Sequence, residues 1–130
     1  MGKDVAPTFR EICENVGGKI DEKNPDICEF EDWKEFIYLK KVRNGAVLKQ
    51  DRWLAERELE DTVDLGEYVD ELIDKLSKHY PYAEAYSLRS TMHDEILYVF
   101  GRDEDEVEQI RRKIDPSGMY SYEGVVYGEG

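Results

Sequence analysis

The sequence predicts an α+β fold built as one domain over residues 1–130, and three observations predict it. Two stretches carry apolar residues at the i, i+3, i+4 spacing of a helix behind a capping pair. An Asn-Gly pair lies between two apolar-rich arms, as in a tight hairpin. From Ala46 onward the elements come as strand, helix, strand, strand, helix and a further strand. With 130 residues, 40% of them hydrophobic, the chain is long enough to bury a single core.

Each element has a local reason. Residues 8–16 predict the first helix, with Thr8 and Glu11 at capping-box spacing and Phe9, Ile12, Cys13 and Val16 on one face. Gly17-Gly18 stops it. Short strands at 18–21 and 27–31 flank a turn-rich segment at 22–26. Asn44-Gly45 predicts a type I′ turn, because both of its central positions need positive φ. The strands then run over 35–43 and 46–54, with Val42 opposite Val47 and Phe36 opposite Trp53. Residues 55–60 are good helix formers, so the second arm ends there or turns helical.

Asp64 begins the longest helix, with Glu67 completing the cap and Leu65, Tyr68, Val69, Leu72, Ile73 and Leu76 forming its apolar face. Pro81 ends it. Residues 82–90 alternate as a strand, 91–94 turn, and 96–100 form an apolar run suited to a central strand. The last helix starts at the Asp103 cap with Glu106 in the box position, and turns Val107, Ile110 and Ile114 inward. Pro116-Ser117-Gly118 closes it, and the Tyr- and Val-rich residues 119–127 suit an edge strand. An N-terminal helix and β-hairpin or meander thus precede a βαββα(β) unit, the order of a ferredoxin-like split βαβ. Such a scaffold hosts many functions, so the side chains must argue for one.

Thirty-one acidic residues against 18 basic give a net charge of −13. That balance repels nucleic acid and anionic membranes except where a local basic patch intervenes. No apolar run approaches the roughly 20 residues of a membrane span. The N-terminal Met-Gly-Lys-Asp-Val-Ala has no apolar signal core, and Ala6 stands where myristoylation wants Ser or Thr. A cytoplasmic protein, regulatory or virus-encoded, fits these absences. Cys13 and Cys28 form no C-x-x-C pair, and a core of this size needs no staple, so reduced thiols are expected, with a 13–28 bridge as the alternative.

Two charge patterns carry the functional candidates. Asp64, Glu67, Asp70, Glu71 and Asp74 repeat at helical spacing, and with Asp103 and Glu104 they suggest an acidic binding face. The competing account is a solvated helix in which Glu71 and Asp74 pair with Lys75 and Lys78 four residues on. Residues 34–52 reverse the balance to a net of +4, presenting Lys40, Lys41, Arg43, Lys49 and Arg52 beside Phe36, Tyr38 and Trp53. Charge beside aromatic surface suits nucleic acid, whereas lysines on an exposed strand also blunt its edge or meet the protein's own acids.

Other patterns are weaker. Asp103-Glu104-Asp105-Glu106 lacks the glycine and the terminal glutamate of a calcium loop, and with Arg111-Arg112-Lys113 it reads as macrodipole complementation. Ser90, His93 and Asp94 are too close in sequence for a triad, His79 suits a helix C-terminus, and scattered His and Cys make no zinc site. Gly17-Gly18-Lys19 follows a helix, so it is no phosphate loop. Tyr82, Tyr86, Tyr120, Tyr122 and Tyr127 suit an interface or a half-buried sheet.

The leading expectation is a non-catalytic regulatory protein, without cofactor or metal, whose acidic face engages a basic protein, including the nucleic-acid-binding site of another protein in the manner of a DNA mimic. Direct nucleic-acid binding through the basic hairpin comes second, near a homo-oligomer that adds its tyrosine-bearing sheet to a partner copy. A small-ligand domain or enzyme with a spatially assembled site comes third.

Overall fold

A computed structural model describes residues 7–128; the signal and myristoylation readings concern residues 1–6 and lie outside it. The elements are α1 (Phe9–Asn15), β1 (Lys19–Ile20), β2 (Ile27–Glu29), a 3₁₀ turn (Glu31–Trp33), β3 (Ile37–Val42), β4 (Gly45–Asp51), α2 (Arg52–Glu58), α3 (Val63–Leu76), β5 (Tyr82–Ser90), β6 (His93–Gly101), α4 (Glu104–Ile114) and β7 (Ser121–Tyr127). No helix among the described residues is long and apolar enough to cross a membrane.

The α+β class holds. Thr8 caps α1 in a full capping box with Glu11, and Gly17 leaves the helix at φ 89°. Residues 55–58 are helical, since Asp51 accepts from the Leu54 N–H and starts α2 there. Asp64 does not cap α3. Thr62 holds that position without a side-chain bond, and the Asp61 carboxylate accepts from the Val63 N–H instead. Leu65, Val69, Leu72 and Leu76 are nonetheless buried, each stabilising the fold by about 1.5–3 kcal/mol. Pro81 is not the stop either: α3 ends at Leu76, and a turn over 77–80 leads into β5.

The seven strands form one sheet in the order β1-β2-β3-β4-β6-β5-β7, with every neighbouring pair antiparallel. The hairpin register differs from the expectation. Val42 pairs with Gly45, and Phe36 lies opposite no tryptophan, since Trp53 is already in α2. The turn is therefore Arg43-Asn44, and of the two only Arg43 takes positive φ, at 54°. Gly45 is in the strand because a Cβ there would run into the Phe100 carbonyl oxygen and the Ile110 Cδ1. Close packing outweighs turn preference.

Strand alternation sorts the core onto two faces. Leu39, Ala46, Leu48, Ala83 and Phe100 lie on one, under α1 and α3. Val42, Val47, Leu97, Val99, Tyr82 and Tyr86 lie on the other, under Val107 and Ile110 of α4. The chain crosses from β4 to β5 over β6, and from β6 to β7 over β5. Both crossovers step the same way across the sheet from strands that run in opposite directions. Two crossovers of one hand must then place α3 and α4 on opposite faces. A ferredoxin-like unit returns its last strand to the side of its first, which keeps both helices on one face. Here β3 occupies that side of β4, and β7 pairs with β5 at the far edge.

The cysteines are bonded. Cys13 of α1 and Cys28 of β2 form a fully buried disulfide, correcting the expectation of free thiols. Antiparallel pairing of β1 with β2 brings the two together, which no sequence spacing displays.

Candidate functional site

The pleat of β3 and β4 sends Tyr38, Lys40, Val42, Val47 and Lys49 to the α4 side of the sheet, beside Leu97 of β6. The last turn of α4 brings Lys113 and Ile114 over this surface, and the chain returns through Tyr120. Together they enclose an open concavity of about 640 Å³. Val42, Val47 and Leu97 form its floor, Tyr38, Ile114 and Tyr120 its walls, and Lys40, Arg43 and Lys113 its cationic rim, while Lys41 borders it but by the alternation of β3 sends its side chain to the opposite face, beside α1. Asp26 is the only carboxylate in the lining.

Tyr120 is fixed at both ends. The buried Asp115 carboxylate accepts from the backbone N–H groups of Met119 at 2.8 Å and Tyr120 at 2.9 Å. The Tyr120 hydroxyl donates to Glu95 Oε1 at 2.5 Å. Burial and this bond to Glu95 push the Tyr120 hydroxyl pKa up. Glu95 also faces Lys49 Nζ at 3.3 Å and His93 Nδ1 at 3.6 Å. Burial opposes ionisation of Glu95, but Tyr120, Lys49 and His93 outweigh it and hold the carboxyl below the usual range.

The five basic hairpin residues therefore divide. Lys49 is engaged by Glu95, and Arg52 lies outside the concavity, paired with Asp94 at 2.8 Å. Lys40, Lys41 and Arg43 are exposed and form no ion pair among the described residues, and neither does Lys113. The expected aromatic surface divides too. Phe36 is in the core, and the Arg57 guanidinium covers the Trp53 ring at 3.7 Å, leaving Tyr38 at the site.

The acidic residues do not form one face. Asp64, Glu67, Asp70, Glu71 and Asp74 are all exposed on α3, whereas Asp103 and Glu104 begin α4 on the other side of the sheet. Glu71 and Asp74 form no ion pair with Lys75 or Lys78 within 4 Å, so intrahelical pairing does not account for the row. Asp103 has a structural task, accepting from the Glu106 N–H at 2.9 Å, while Glu106 reaches back to the Arg102 N–H.

Sequence reasoning missed a second polar cluster under α4. Glu84 is buried and accepts from the Tyr82 hydroxyl at 2.5 Å and the Tyr86 hydroxyl at 2.6 Å. Its signal was present as Tyr-Ala-Glu-Ala-Tyr, which puts all three polar side chains on one face of a strand. Tyr127 points to the opposite face and donates to the Tyr80 carbonyl, so the five tyrosines do not share one surface. Asp94 is engaged by Arg52 and His93 by Glu95, so Ser90, His93 and Asp94 are not linked. Among the described residues no three His, Cys, Asp or Glu side chains converge as metal ligands. No protein-family model, curated protein or solved structure matches this chain.

Proposed function

We propose that this chain is a non-catalytic binding module that holds an anionic partner in the concavity between the β3–β4 hairpin and α4. One observation carries the reading: Lys40, Arg43 and Lys113 converge there against a single lining carboxylate, Asp26, and form no ion pair among the described residues, on a chain of net charge −13. Edge protection does not explain the lysines, because β3 is paired on both sides, with β2 and β4. The acidic body would repel a polyanion everywhere else and so orient its approach.

Reversing Lys40, Arg43 and Lys113 to Glu tests the reading, with fluorescence anisotropy of a labelled oligonucleotide as the readout. Wild-type affinity should fall between about 50 and 200 mM salt, with a log–log slope of about −2 for roughly three released counterions. A folded reversal variant that binds as tightly as the wild type would sink the proposal.

A second reading keeps the acidic α3 face as a dock for a basic protein, supported by five exposed carboxylates that the neighbouring lysines leave unpaired. Replacing Asp64, Glu67, Glu71 and Asp74 with their amides should then abolish binding of oligolysine at low salt. Undiminished binding would remove this reading. For the scaffold, we infer a ferredoxin-like split βαβ in β4, β6 and β5 whose last strand has moved to the opposite edge. The Cys13–Cys28 bridge suits an oxidising compartment, and a cytoplasmic location would call for a cytosol that keeps disulfides, as in hyperthermophiles.

A further inference from the structure

We infer that the partner is single-stranded nucleic acid, which enters the concavity as an unstacked nucleotide with its base on the tyrosine wall and its phosphates on the lysine rim. This inference rests on the anion-binding reading and deepens it. A bare polyanion would need only the cations, whereas this site pairs them with the half-buried Tyr38, Ile114 and Tyr120 around an apolar floor of Val42, Val47 and Leu97, themselves buried. Such a floor favours a ligand that carries a flat apolar group beside its charge.

Tyr38 and Tyr120 supply the stacking surface, and the two bonds that fix Tyr120 reduce the ordering cost of using it. The hairpin contributes cations on one side and α4 contributes Lys113 on the other, so the phosphate backbone has a charged rim along its path. Shape favours a single strand over the duplex. The cations surround a hollow of about 640 Å³, in the range of small-ligand sites, and a duplex keeps its bases stacked inside.

The test compares three probes at low salt: labelled oligothymidylate of roughly ten nucleotides, polyphosphate of matched charge, and duplex DNA of the same length. Oligothymidylate should bind at least about tenfold more tightly than either competitor, because stacking on one aromatic is worth roughly 1–3 kcal/mol. Tyr38→Ala should weaken the oligothymidylate about tenfold and leave polyphosphate binding unchanged, while Tyr38→Phe keeps both. Unchanged polyphosphate binding also reports that the variant is folded. Equal affinity for polyphosphate with no effect of Tyr38→Ala would overturn the nucleotide inference and leave the anion site standing. Preference for the duplex would overturn it as well. Failure of all three probes to bind would overturn both.

Discussion

Gly45 shows how one residue can satisfy two patterns and serve only one. After Asn44 it reads as a turn residue, yet the Phe100 carbonyl and the Ile110 side chain occupy the space a Cβ would need. Arg43 consequently takes the left-handed position, which costs an L-residue roughly 1–2 kcal/mol. Gly45→Ala should destabilise the protein by about 1–3 kcal/mol, read as a lower denaturant midpoint at unchanged m. An unchanged midpoint would mean that neither the Phe100 carbonyl of β6 nor Ile110 of α4 presses on this strand. The tyrosines make a second residue-scale prediction. Burial pushes the Tyr80 hydroxyl up to about 12, with Glu106 adding to the effect, and raises those of Tyr82, Tyr86, Tyr120 and Tyr127 as well. The folded state therefore binds more protons than the unfolded one above pH 10, so stability is full below that and falls as pH rises toward 12. Absorbance at the tyrosinate band should lag in native protein and rise together with loss of the circular dichroism signal. Complete tyrosine ionisation near pH 10 with the fold intact would contradict this.

At the scale of elements, α3 and α4 carry the same apparent start signal with different outcomes. Asp103 caps α4, whereas Asp64 lies one residue inside α3 and caps nothing. Asp103→Ala should cost about 1 kcal/mol, and Asp64→Ala should stay within about 0.5 kcal/mol, both measured by urea denaturation. Equal losses would refute the assignment of the caps. Most elements were legible because local chemistry fixes them. The Thr8–Glu11 box, the Gly17 stop, the apolar stripe of α3 and the bounds of β5 appear in the structure at or near their expected positions, although β5 is buried on both faces over residues 82–86 and does not alternate. The hairpin register, the faces of the two helices and the disulfide were not legible, since each depends on residues far apart in sequence. Strand order in particular moves α4 to the other face, and nothing within residues 103–114 encodes that.

For the molecule as a whole, the charge is polar in layout as well as acidic in sum. The α3 row faces away from one side of the sheet, and the basic concavity opens on the other. Half of that concavity was legible: Lys40 and Arg43 stood out in sequence. Lys113 read as a helix-dipole residue and Tyr120 as part of a strand, because only the α4 crossover brings them to the hairpin. The covalent frame makes its own prediction. The Cys13–Cys28 bond, 15 residues apart in sequence, ties α1 to the β2 side of the sheet, and Cys13→Ser with Cys28→Ser should cost about 3 kcal/mol in urea denaturation. A double variant as stable as the wild type would show that the bond adds nothing. The most direct test of the central claim is an amide chemical-shift titration of the intact protein with oligothymidylate. The account predicts shifts concentrated at Tyr38, Lys40, Arg43, Lys113 and Tyr120, with Asp64 to Asp74 unmoved; shifts centred on α3, or none at low salt, would contradict it.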